Sequence, residues 1–190
     1  MTIRNREKIY NMRAKAEIRK ATIEHAKDVA HIHVKSWQQT YAGLIDQAYL
    51  DSLDVGARQK RWEESFEQSN QHLYIAFDNS QAVGFVCFGA GRDEAMKVQG
   101  EIYAIYLLQE AWSKGIGYAL FKTAQDQLTA EGLRHLYLWV LDTNENAIRA
   151  YERWGGTLNR AMIKDHVIGQ QPVKEIAVVF SGDQDNNSRQ

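Results

Sequence analysis

Cysteine is nearly missing from this chain. Only Cys87 is present, which excludes an intramolecular disulfide framework and any zinc site built from cysteines. Proline is as scarce: Pro172 stands alone, and no proline-rich, repetitive or low-complexity stretch divides the 190 residues. No run approaches the roughly 18 apolar residues that a membrane helix requires. The longest, Ile102–Leu108, has the length of a strand, and the opening MTIRNREKIYNMRAK lacks the apolar centre of a secretory signal. The expected location is therefore the cytoplasm, with no membrane partner. Neither sign of charge dominates, because 23 Lys and Arg face 24 Asp and Glu for a net charge of −1. A dedicated nucleic-acid binder needs a clear positive excess, so nucleic acid is not an expected partner.

What is present is core material. At 44% hydrophobic and 11% aromatic residues, the chain can bury a sizeable interior, and its length suits one domain. Residues 1–16 carry most of a basic cluster, Arg4, Arg6, Lys8, Arg13 and Lys15 against Glu7, and are expected to be a solvated arm. The polar stretch 181–190 is expected to fray. Between them, 17–180 is the expected folded domain.

Hydrophobic periodicity sets the element order. EIRK at 17–20 predicts a short strand, and Thr22 is the expected N-cap of a helix through Ile23, Ala26, Val29, Ala30 and Val34. One helix or two short ones span 46–68. Strands are predicted at 72–78 and 82–90, joined by Asn79-Ser80, and at 100–108, where near-continuous apolar residues imply burial on both faces. A helix over 116–130 has Ile116, Ala119, Leu120, Ala124 and Leu128 on one stripe, with Gly132 as its C-terminal stop. A strand at 133–141, a helix at 144–154 and strands near 157–163 and 173–180 follow. The unit at 100–141 is expected to be a right-handed parallel crossover.

Two segments carry chemistry. In the first, the strand Glu101–Leu108 runs into Trp112-Ser113-Lys114-Gly115-Ile116-Gly117 and a helix N-terminus. Such a turn aims backbone N–H groups at one spot, the helix dipole adds partial positive charge, and glycines admit a phosphate without a Cβ clash. It is neither a Walker A loop, since Lys114 precedes the glycines, nor a dinucleotide fingerprint, since Leu120 stands where the third glycine belongs. Read alone, it is as readily a structural turn. The second segment is Asn144-Glu-Asn-Ala147-Ile-Arg-Ala-Tyr151-Glu-Arg-Trp-Gly-Gly156. Tyr151 falls two helical turns past Asn144 and hence on the same face. Its hydroxyl is a candidate acid, and a core aromatic is the competing reading.

Together the two segments resemble the GNAT superfamily of acyl-CoA-dependent N-acetyltransferases. The resemblance covers about 17–180 and rests on GEIYAIYLL, KGIG, LYLWVLDTNENAIRAYERWGG and the element order. It implies an α/β fold: one mixed sheet of about six or seven strands flanked by about four helices. Two central parallel strands, 100–108 and 133–141, would splay to admit the cofactor. It implies acetyl-CoA as cosubstrate, no metal, and transfer to a primary amine of a small molecule or peptide by direct attack in a ternary complex. Trp112, Ser113, Lys114, Gly115, Ile116 and Gly117 would surround the pyrophosphate. Backbone groups of Ile105, Tyr106 and Leu107 would pair with the pantetheine arm, beside Asn144 and Ala147, and Tyr151 would protonate the leaving thiolate. Trp112 departs from the Arg or Gln usual there. A non-catalytic acyl-CoA sensor and an interaction module on the same fold are the alternatives, and the last strands or exposed helices leave room for a homodimer.

The reaction also needs a base. An amine of pKa about 10.4 is neutral in about one molecule in a few thousand at pH 7, and only the neutral form attacks. Glu101 opens the strand before the loop, and its spacing to Gly115 resembles that of the glutamate base in the histone-acetylating branch. The competing reading is a solvated strand-end charge. Tyr103 shares its face by period two and could hold substrate or water. The Ile105 N–H is the expected carbonyl polariser. Trp37 and Tyr41, in VKSWQQTYAGL, are acceptor-pocket candidates or an aromatic helix end. Cys87, Trp62 and Trp154 read as core, and His31 with His33 do not share a helix face.

Overall fold

The computed structural model describes residues 16–67, 70–96 and 99–182. The expected arm and tail fall outside these, apart from Ala16, which packs on the core, and Ser181 with Gly182. Seven strands form one mixed sheet: β1 Glu17–Lys20, β2 Gln71–Asp78, β3 Gln81–Ala90, β4 Gly100–Leu107, β5 Leu136–Leu141, β6 Thr157–Ile168 and β7 Gln171–Phe180. Their order is β1-β2-β3-β4-β5-β7-β6, with β4 and β5 parallel and every other neighbouring pair antiparallel. Among the described residues five α-helices flank it: α1 Ala26–Thr40, α2 Gln47–Asp51, α3 Val55–Phe66, α4 Ile116–Ala130 and α5 Glu145–Arg153. The region 46–68 holds two of them because Asp46 and Asp54 each cap a new start, accepting from the N–H of Ala48 at 3.0 Å and Ala57 at 2.7 Å.

The sheet is buried on both faces. On one, α4 covers Val86, Phe88, Ile102, Leu136 and Leu138. On the other, α1 and α3 cover Ile75, Phe85 and Cys87. This two-sided burial is why β3 and β4 read as apolar runs rather than alternating ones. The α1 stripe buries Val29, Ala30, Ile32 and His33, while His31 points to solvent. Its entry is a short 3-10 turn, Ile23–His25, where the Thr22 N–H donates to His25 Nδ1 at 3.0 Å. Cys87 is buried, as expected of a small hydrophobe, and desolvation pushes its thiol up to about 12.

Two local departures shape the site. First, the pairing of β3 with β4 slips between Cys87 and Phe88: Phe88 faces Ile102 and Cys87 faces Ala104, so Tyr103 is an extra residue. Such a bulge re-aims side chains, and Tyr103 and Ala104 consequently both pack on the α1 side. Second, β6 runs five residues past the expected 163, to Ile168. The extension brings Lys164 and His166 into register with Glu175 and Val173 of β7.

Candidate active site

β4 and β5 are bonded only at Gly100–Leu136, Glu101–Tyr137 and Ile102–Leu138. Beyond these pairs the strands diverge. From Tyr103 onward β4 keeps only β3 as a neighbour, while β5 is paired along its length with β7. The expected splay is therefore present. The backbone polarity of its wall follows from two bonds. The Leu108 N–H donates to Val83 O at 2.9 Å, toward β3, and the Leu107 carbonyl accepts from Trp112 Nε1 at 3.2 Å, away from it. Antiparallel pairing alternates, so Leu107 and Ile105 turn their N–H and C=O to the gap and Tyr106 turns its own to β3. Of the three residues expected to offer backbone groups to a ligand, this pattern leaves Ile105 and Leu107 facing the gap. The Tyr106 side chain lies among His33, Trp37 and Phe85, with ring centroids 5.1, 6.3 and 5.7 Å away.

The N-terminus of α4 closes one end of the gap. Gly115, at φ +83°, is its N-cap and no side chain caps the helix. Ser113 is also left-handed, at φ +60°. Two such residues within one turn expose the helix's first N–H groups to the loop's concave side, the arrangement that suits a phosphate. Ile116 is buried and anchors the turn. Gly117 lies against Trp154, whose nearest ring carbon would stand 3.3 Å from an added Cβ. The Lys114 ammonium reaches out to Asp78 at 2.9 Å. The Trp112 ring is 38% exposed and folded back toward β4 by its bond to Leu107, so it does not fill the loop.

On the other side of the gap, Asn144 is buried and its side chain caps α5, accepting from the Ala147 N–H at 3.2 Å. Tyr151 stands on α5 against Trp154, ring centroids 5.4 Å apart. Burial, then the Tyr106 phenol, push its hydroxyl well above the usual tyrosine value, so it is protonated at neutral pH. Tyr41 is raised too, by burial and then by Tyr106, Tyr151 and Glu175. Tyr41 also lines a cavity beside the gap. Trp37 packs edge-on to Tyr41 at 5.0 Å.

That cavity, of about 680 Å³, lies under the starts of β4 and β5 and the β6–β7 hairpin. Glu101, Tyr41, Trp139, Lys164, His166 and Glu175 are among the side chains around it. Glu101 is no solvated strand-end charge: its side chain is 3% exposed. Arg92 donates to Oε2 through its backbone N–H at 2.9 Å and Nε at 3.2 Å, and to Oε1 through Nη2 at 2.6 Å. The Tyr137 hydroxyl donates to Oε2 at 2.8 Å. Desolvation would raise the carboxyl, but these donors outweigh it and hold it below the usual carboxylate value. Tyr103 does share this face. Its ring carries the Arg92 guanidinium at 4.0 Å and its hydroxyl donates to Ala90 O at 2.6 Å.

Sequence reasoning missed Arg92, Tyr137, Glu175, Lys164 and His166. Arg92 follows β3 in a loop with no pattern of its own. Tyr137 lay inside an apolar run. Lys164 and His166, two apart, would have revealed themselves as one face had β6 been extended. Among the described residues no three His, Cys, Asp or Glu side chains are grouped to hold a metal ion, and no helix is long and apolar enough to cross a membrane.

Known proteins share this architecture. The profile of the family described as Acetyltransferase (GNAT) family matches residues 26–156. YuaI of Bacillus subtilis, described as an uncharacterized N-acetyltransferase, is 36% identical over 132 residues, 69% of this chain and 75% of that one. A spermidine N(1)-acetyltransferase of Thermoplasma acidophilum is 28% identical over 144 residues, 73% and 86% of the two chains. The crystal structure of the PaiA N-acetyltransferase of the same organism in complex with coenzyme A superposes with a TM-score of 0.72 at 21% identity, covering 88% of this chain and 99% of that one.

Proposed function

Because the chain belongs to the acetyltransferase (GNAT) family, we propose that it transfers an acetyl group from acetyl-CoA to a primary amine of a small molecule or peptide, by direct attack in a ternary complex. One observation carries the reading: the divergence of β4 from β5 after Ile102. It leaves the Ile105 and Leu107 backbone and the uncapped N-terminus of α4 facing a single gap.

Acetyl-CoA, when bound, supplies the activated acetyl thioester. The Ser113–Gly117 turn and the α4 dipole hold its pyrophosphate, and Ile105 and Leu107 pair with the pantetheine amides as an added strand would. The Ile105 N–H polarises the thioester carbonyl where negative charge develops, an oxyanion-hole role. The Tyr151 hydroxyl, kept protonated by burial, gives its proton to the departing sulfur. Asn144 fixes the start of α5 and thereby the position of Tyr151. Tyr41 and Tyr103 line the acceptor side, with Trp37 packed edge-on against Tyr41, and aromatic faces there attract an ammonium.

The test is release of free thiol from acetyl-CoA in the presence of spermidine, lysine and an alanine-terminated peptide. The reading predicts release with at least one of these amines above the rate without amine. No release with any of them contradicts it.

A further inference from the structure

Two carboxylates of the acceptor cavity differ in what already holds them. Each Glu101 oxygen is occupied: four donor contacts come from Arg92 and Tyr137, and a carboxylate offers about four acceptor positions. Taking a proton would break at least one of these bonds and strand the guanidinium. Glu101 is therefore poorly suited to the base role expected for it. Glu175 is a second carboxylate of this cavity, which Asp93, paired with Lys164, and Glu94 also line. It lies on β7, opposite Leu141 of β5 and Lys164 of β6, with its side chain 25% exposed to the cavity.

The charged groups around Glu175 leave it room for a ligand cation. From β6, His166 Nε2 stands 3.7 Å away, and Lys164 is turned to Asp93 at 3.3 Å and over the Trp139 ring at 4.0 Å. From β3's following loop, Arg92 is spent on Glu101. From β4 comes Glu101, whose charge raises Glu175, and from the residue after α1 comes the Tyr41 hydroxyl, which Glu175 raises in turn. Tyr41 and Tyr106 line the same cavity as Glu175, and Tyr106 stands between Ile105 and Leu107 on the open stretch of β4, so the cavity adjoins the gap.

Resting on the acetyl-transfer reading above, we propose that Glu175, and not Glu101, receives the acceptor's ammonium and takes the proton that frees its lone pair. Glu101 is a positioning residue, which fixes Arg92 against Tyr103 and so shapes the cavity wall. The proton count closes. The ammonium gives one proton to Glu175, which passes it to solvent. The neutral nitrogen forms the C–N bond as the C–S bond breaks. The second proton shed by nitrogen replaces the one that Tyr151 gives to sulfur. Burial, against the pull of His166, Lys164 and Arg92, raises the Glu175 carboxyl above its ordinary value. A raised carboxyl is a stronger base than one held low.

The experiment compares Glu175→Gln, Glu175→Asp and Glu101→Gln in the thiol-release assay from pH 5 to 9, using the amine that the wild type acetylates. Glu175→Gln is expected to lower kcat/KM at pH 7 by about 10²–10³-fold. Its rate should rise in proportion to hydroxide over the whole range, in place of the wild type's acid limb, which levels off once Glu175 is ionised. Glu175→Asp restores part of the rate. Glu101→Gln lowers the rate and retains the acid limb. Each variant's thermal stabilisation by acetyl-CoA reports that it is folded and loaded. A readout free of activity is the carboxyl ¹³C titration of labelled glutamates, where one wild-type signal titrates above the usual carboxylate range and is missing from Glu175→Gln. Retention of the acid limb in Glu175→Gln, its loss in Glu101→Gln, or no such carboxyl signal overturns the assignment. A wild type that binds acetyl-CoA and acetylates none of the amines overturns acetyl transfer and this assignment together. A transferring wild type with an unaffected Glu175→Gln overturns the assignment alone.

Discussion

The first three residues of β4 and the five that follow belong to one strand and serve opposite purposes. Gly100–Ile102 is bonded to β5 and lies in the core. A Cβ on Gly100 would stand 2.8 Å from both Leu128 and Leu136, so the backbone there is pressed against the α4 side chains. Tyr103–Leu107 is bonded to β3 alone and is only partly buried. The closed half spends its backbone polarity on structure. The open half leaves its edge away from β3 without a strand partner, the edge proposed to take the CoA arm, and the bulge at Tyr103 marks the change. A parallel pair that was bonded throughout would be more stable and would have no site.

The contrast can be broken from either side. Leu136→Ala, in the closed half and fully buried, should cost about 2–5 kcal/mol in urea unfolding. The added stabilisation from acetyl-CoA should stay nearly unchanged. On the open side, Tyr151→Phe should lower turnover about 10²-fold, with CoA affinity kept within a factor of two. Unchanged turnover would remove Tyr151 from the mechanism. Gly115→Val forces a β-branched residue to φ +83° and should cost about 1–2 kcal/mol. Its distinguishing effect is on affinity, with CoA binding weakened at least tenfold in calorimetry. If Gly115→Val and Leu136→Ala lower affinity alike, the two halves are not separate in function.

The smallest effect expected is on pH dependence. Glu101 has a carboxyl lowered in the folded state by Arg92 and Tyr137, against desolvation. Its contribution to stability is complete above the unfolded carboxylate value and is lost as pH falls through the folded one. Glu175 is raised, so its sign is reversed: the folded state gains from acidification through its titration range. Urea midpoints measured from pH 3 to 7 should therefore fall less steeply on acidification in Glu101→Gln than in wild type. The fall should be steeper in Glu175→Gln.

The open half of β4 was legible in the sequence because its signals are local. The apolar run, the turn with Gly115 and Gly117, and the Asn144 cap all follow from neighbours a few residues apart. Which of Ile105, Tyr106 and Leu107 face the gap was not legible, because the direction of a backbone group depends on register with β3, and the bulge at Tyr103 changes that register. The cavity was less legible. Arg92 from the loop after β3 and Tyr137 of β5 meet at Glu101 of β4, and Glu175 of β7 joins the same cavity, only when these strands lie side by side. Glu101 could be located but not weighed, since its basicity is set by donors from Arg92 and Tyr137, neither of which is a neighbour in sequence.

The central claim is that the unpaired stretch of β4 and the Gly115 turn together hold CoA. Amide hydrogen exchange with and without saturating CoA tests it directly, because it reads individual backbone N–H groups. Slower exchange at Ile105 and Leu107 and over Ser113–Gly117, with Gly100–Ile102 unchanged, is the predicted result. Equal exchange in the two samples at those positions, or protection confined to other parts of the molecule, would contradict it.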